Sequence, residues 1–166
     1  TIVKAAIEEK DVFVVQAPLY YYLISPLFLL SNKIGINHIV LIQIFNSILM
    51  LLTNVFFYLI LKRVSRYFKL GNEFVLLSLL LFAFLPVHLY VTLVLGADIL
   101  YYFFFVLSLY AFIKLSDKKT TSNALLLGVI LGFALLSRLF TVILIGALIL
   151  YAIRLHFKKR SHFRNK

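Results

Sequence analysis

The sequence predicts an all-α protein, a polytopic transmembrane helix bundle with one further helix lying at the outer membrane face. Three observations lead there. Of the 166 residues, 63% are hydrophobic and 16% aromatic, with a mean hydropathy of +1.04; a soluble domain of this size hides far less apolar side chain. The apolar residues fall into long stretches separated by short polar ones. The 17 Lys and Arg outnumber the 6 Asp and Glu, for a net charge of +11. They gather between the stretches as Lys62, Arg63, Arg66 and Lys69, as Lys114, Lys118 and Lys119, and in the tail from Arg154 to Lys166. That is the pattern of cytoplasmic anchors, not of a nucleic-acid site. There is no cysteine, so disulfides and thiolate ligands do not arise. One membrane domain covers residues 1–166, without linker, repeat or low-complexity tract. The chain opens at Thr1 with no signal-peptide pattern, and the expectation is an excerpt from a longer protein.

Each element follows in order from length and charge. Pro18 to Leu30 has 13 residues, a helix of only about 20 Å, too short to span. Pro26 is expected to interrupt it by removing a backbone donor. The acidic segment before Gln16 and the start of the next helix near Asn37 both belong outside, so this segment is expected to lie at the outer interface. Tyr20, Tyr21 and Tyr22 suit that position, because a phenol ring favours a boundary with one apolar and one wet side. Ile39 to Leu61 then crosses inward to the first basic cluster. Phe74 to Leu95 and Ile99 to Ile113 form a hairpin whose turn, near Gly96 and Asp98, faces outward. Ala124 to Ile153 gives about 45 Å of helix, short of two spans of about 30 Å each. It is expected to be two short helices broken around Ser137 and Arg138.

Some polar residues stand inside apolar runs. Gln43, Asn46, Ser47 and Asn54 recur at helical spacing and line one face, directed at other helices or a wet cavity. Asp98 within LVLGADILYYFFF needs water or a partner, or else caps the helix beginning at Ile99. Arg138 is far from the basic clusters and needs an anion, for which a lipid phosphate at the outer surface is the candidate. His38 and His88 read as structural, His88 as a partner for carbonyls freed by Pro86. No phosphate loop, catalytic triad or metal-spaced cluster is visible.

Several segments resemble membrane glycosyltransferases of the GT-C type, the polyprenyl-phosphate-sugar-dependent group that includes protein mannosyltransferases and aminoarabinose transferases. QAPLYYYLISPLFLL is similar to that family's HPPLYYLLL segment, a juxtamembrane helix of the first outer loop. QIFNSILMLLTNVFFYLILKRVSRYF resembles the next helix and its basic end, and LPVHLYVTLVLGADILYYFFFVLSLYAF the helix, turn, Asp and helix that follow. FALLSRLFTVILIGALIL is similar to the pattern written ALLTKxxxLLLLPALLL. Together these cover nearly the whole chain.

The resemblance implies transfer of a sugar from a polyprenyl phosphate to an acceptor hydroxyl of a glycan, lipid or protein at the outer or lumenal face. It implies a multi-pass protein of the plasma membrane or endoplasmic reticulum. It places the catalytic Asp in a first outer loop, expected upstream of Thr1 with the first transmembrane helix, so Glu8, Glu9 and Asp11 are not put in its role. By this reading Arg138 binds the donor phosphate, Gln16 and Tyr20 line the pocket, and Asp98 orders the outer-loop helices. Family members often carry His or Glu where Gln16 stands, and these can help hold a divalent ion; Gln is a poor ligand, so no metal site is assigned. The alternative class is a transporter fragment or a non-catalytic membrane subunit.

Overall fold

The computed structural model describes residues 19–93 and 96–164, with side chains as far as Arg154. Among these residues all regular structure is helical: α1 (Leu19–Ile34), α2 (His38–Phe68), α3 (Asn72–Ala83), α4 (Pro86–Leu93), α5 (Asp98–Asp117), α6 (Thr121–Ser137) and α7 (Thr141–Arg164). The all-helical membrane bundle is therefore as the sequence predicts. α2 and α5 are each long and apolar enough to cross a membrane, and α3 with α4 would make a third span bent by 46°.

Local chemistry sets the helix ends. Gly35, at φ +72°, ends α1 in the left-handed region that favours glycine, and its N–H donates to the Ser31 carbonyl. Two residues later Asn37 caps α2, its side chain accepting from the Ile39 N–H at 2.9 Å. At the other end Lys69 takes the left-handed conformation, and Ser65 Oγ donates to the Leu70 carbonyl at 2.6 Å. Thr120 caps α6 by accepting from the Asn123 N–H.

Packing is built around α5, which lies mainly against α6 and α2. Phe56 meets both Phe103 and Tyr110, and Arg63 pairs with Asp117, so α2 and α5 run in the same direction. α6 returns antiparallel, with Phe104 stacked on Phe133 at 5.6 Å. One core joins Tyr20 and Ile24 of α1, Ile42 and Leu49 of α2, Val91 of α4, and Ile99 and Leu100 of α5; a smaller one joins Ala111 to Leu127 and Ile130. Many outward apolar side chains stay exposed, as lipid-facing surfaces do.

Two expectations need correction. Pro26 does not interrupt the first helix, which continues through it to Ile34. A proline deletes a single N–H donor, and a helix whose buried face is held by Tyr20 and Ile24 on one side of it and Ser31 on the other tolerates the loss. Tyr20 is not interfacial but completely buried, while Tyr22 on the opposite face is 74% exposed. The stretch from Phe74 bends at its proline, as the reading of His88 implied: α3 stops at Ala83, and Pro86 opens α4 at its first position, where no N–H is needed. Pro86 has no N–H to offer the Phe82 carbonyl, which accepts from the Leu85 N–H at 3.4 Å and meets His88 Nδ1 at 2.6 Å. The His88 ring is buried between Phe82 and Tyr102, so the histidine seals the break as the sequence predicts.

The direction of the helices gives a sidedness that can be measured. In a chain without cysteine, single cysteines at Asn32 and Gly96 are expected to react with an impermeant thiol reagent from outside, and cysteines at Tyr67 and Lys119 are expected to be silent. Tyr67 is 82% exposed, so its silence would reflect the membrane and not burial. External labelling there would invert the map.

Candidate functional site

The polar residues that the sequence scatters along 120 positions converge on one end of the bundle. The break after α6 creates the first part. Ser137 Oγ donates to the Phe133 carbonyl and Thr141 Oγ1 to the Ala134 carbonyl, both at 2.8 Å, and both residues are fully buried. These bonds satisfy the broken helix from within, so the turn between α6 and α7 is fixed and not frayed. Arg138, at the C-cap of α6, takes extended backbone and leaves the turn with its side chain directed at α5.

There its guanidinium forms an ion pair with the carboxylate of Asp98. Asp98 is the first residue of α5, where a negative charge complements the helix dipole; Arg138 at the end of α6 does the same for the opposite pole. Ala97, not Asp98, occupies the N-cap, and no side chain caps that helix, so the capping alternative for Asp98 is replaced by pairing. The anion beside Arg138 in this structure is thus supplied by the protein. The Arg138 side chain is only 32% exposed, and its guanidinium carries five donors, more than one carboxylate uses.

A second group braces the same end. The Tyr20 hydroxyl donates to Asn46 Oδ1 at 3.1 Å, and burial pushes the phenol above its usual range even though the bond to Asn46 acts against this. Asn46 Nδ2 donates to the Thr92 carbonyl at 3.5 Å, and Gln43 Nε2 to the Leu93 carbonyl at 3.4 Å. The two amides thereby take up carbonyls at the end of α4, which tie α1, α2 and α4 into one unit below the chain's turn into α5. Ser47 and Asn54 point their donors back to their own helix instead, at the Gln43 and Met50 carbonyls.

Of the residues singled out in the sequence, Asp98 and Arg138 come together, and Tyr20 lies in the adjoining core. Gln16 lies outside the described residues, as do Glu8, Glu9 and Asp11. Tyr101 escaped the sequence reading, hidden in an unbroken aromatic run. Its one signal is a spacing of three from Asp98, which puts it on the same face one turn along α5. Among the described residues no three His, Asp or Glu side chains converge, and a single carboxylate already paired with a guanidinium does not fit a divalent ion.

A family model described as dolichyl-phosphate-mannose-protein mannosyltransferase matches residues 15–166. No curated protein and no solved structure matches the chain.

Proposed function

The chain belongs to the dolichyl-phosphate-mannose-protein mannosyltransferase family, and from that premise we propose that it transfers a sugar from a polyprenyl-phosphate donor to an acceptor hydroxyl at the outer or lumenal face of a membrane. Residues 1–166 act within one multi-pass transmembrane domain. The observation that carries the site assignment is a guanidinium, partly exposed and pre-oriented by Asp98, at a fixed helix break.

In this reading the free edge of Arg138 faces the donor phosphate. As the acceptor oxygen attacks the anomeric carbon and the bond to the phosphate oxygen breaks, negative charge grows on the leaving polyprenyl phosphate. A fixed cation at that position stabilises the transition state more than the ground state. Asp98 holds the guanidinium in place and is occupied in doing so. The hydroxyl proton therefore goes to a different carboxylate, the role the resemblance gives to a first-loop aspartate. Tyr20, spent on Asn46, contributes by setting α1, and Gln16, three residues before that helix, lines the pocket.

A transporter would also use a broken helix and an ionisable pair, but near the midplane. Here the pair sits at the very ends of α5 and α6. Binding of a polyprenyl phosphate to the purified full-length protein decides between them. Saturable binding that Arg138→Leu weakens at least tenfold supports the transferase site. Binding unaffected by Arg138→Leu would remove Arg138 from it.

A further inference from the structure

The bundle leaves one side of α6 unused, together with the turn that leads into it. Leu127, Ile130 and Ala134 turn the other side into the core, where Leu127 and Ile130 meet Ala111 of α5. On the free side Thr121, Ala124, Leu125, Gly128 and Val129 line an open groove of about 450 Å³. The groove exists because Ala124 and Gly128 leave its floor low; a Cβ added at Gly128 would meet nothing within 4 Å. It follows α6 from its first residue through two turns, about 12 Å of rise. Lys118 and Lys119 stand just before its mouth at Thr121. Both are exposed, and among the described residues neither has an ion-pair partner. Asp117, the adjoining acid, is taken by Arg63. The backbone of this turn is held in place, since Asn123 Nδ2 donates to the Lys118 carbonyl at 2.8 Å and Thr120 Oγ1 accepts from the Asn123 N–H at 3.3 Å.

An apolar channel that lies open to lipid and ends at two unpaired ammonium groups is complementary to a phosphate with an acyl chain behind it. The basic residues put this end of α6 at the cytoplasmic face, so the lipid comes from the inner leaflet. We infer that Lys118, Lys119 and the α6 groove bind one anionic phospholipid of the cytoplasmic leaflet, its phosphate beside the two lysines and the start of an acyl chain along Ala124 and Gly128. Arg138 lies at the far end of the same 17-residue helix, about 25 Å away, so this site is separate from the one proposed above and does not rest on the transferase reading. Charge decides against the other occupant that such a groove accepts, a further transmembrane helix. A helix that ends at the cytoplasmic face carries basic residues there, as α2 does with Lys62, Arg63 and Arg66. Laid in the groove, it would set like charges against Lys118 and Lys119. A phospholipid brings the opposite charge. Its chain is in hydrocarbon before and after binding, so the groove contributes packing and the lysines supply the preference for a negative headgroup.

The test uses the full-length protein, delipidated in detergent, with palmitoyl-oleoyl phosphatidylglycerol as probe and the phosphatidylcholine of the same chains as control. Phosphatidylglycerol is expected to bind saturably and about tenfold more tightly than phosphatidylcholine, the size expected of two lysines near one headgroup charge. A diazirine on its acyl chain is expected to label the peptide containing Ala124 and Gly128. Lys118→Gln combined with Lys119→Gln should erase the preference by weakening phosphatidylglycerol about tenfold and phosphatidylcholine not at all. Gly128→Leu, which fills the groove from a position with open space around it, should weaken both lipids severalfold and keep their ratio. Equal affinity for the two lipids in the parent, or labelling spread evenly over lipid-facing helices, would overturn the inference with no variant needed. Persistence of the preference in the lysine variant would do the same. So would efficient cross-linking of Leu125→Cys, on a cysteine-free background, to another helix of the protein or to a second copy, because a helix would then lie where the acyl chain is placed.

Discussion

Replacing Arg138 by leucine in the full-length protein is expected to slow sugar transfer about a hundredfold at saturating donor. Loss of one preorganised charged contact to a developing oxyanion costs on the order of 2 to 4 kcal/mol in the transition state. Arg138→Lys should fall between the two, since it keeps the charge but not the planar fork that reaches Asp98 and a phosphate together. Asp98→Asn is the informative companion. It leaves the guanidinium but releases its orientation, so it should lower the rate by a smaller factor and shift donor affinity more than Arg138→Lys does. Single-turnover rates at matched folded yield read these differences. Full activity in Arg138→Leu would reduce the ion pair to a tie between α5 and α6.

The second large effect is on stability. Asn46→Leu should cost about 2 kcal/mol, because it leaves the buried Tyr20 hydroxyl and the Thr92 carbonyl without their partner. Tyr20→Phe removes the same hydroxyl bond from the other side, where the loss should stay below about 1 kcal/mol, in the range of interhelical hydrogen bonds in membranes. The double variant should be little worse than Asn46→Leu alone, since both delete one interaction. Thermal unfolding of the purified protein in detergent measures all three. Strict additivity would mean that Tyr20 and Asn46 do not act through each other.

Much of this architecture is legible in the sequence, and the physical reason is the bilayer itself. Apolar length and basic clusters fix where helices run and which ends share a face, and the break at Ser137–Arg138 follows from a stretch too short for two spans. Even the role of His88 is local, set by a proline two residues away. What the sequence does not reveal is pairwise and non-local. Asp98 and Arg138 each look like charges in need of a partner, yet no periodicity links positions on different helices. Tyr20, Tyr21 and Tyr22 have the same composition and neighbours, and only the presence of Asn46 across the interface decides which one turns inward.

The inequality in length between α5 and α6 has a mechanical consequence. Both reach from the Asp117 end to the Asp98 end, but α5 has 20 residues and α6 has 17, about 30 Å against about 25 Å. If α6 crosses the membrane beside α5, it ends below the level of a relaxed bilayer of about 30 Å, and lipid next to it would thin or dip to cover it at modest elastic cost. Under the proposed function, Arg138 would lie at the floor of that depression, and a donor phosphate would descend to it with the headgroup layer and not enter hydrocarbon. Membrane thickness would then be a variable on which the proposed donor's arrival depends, set by three missing residues of helix.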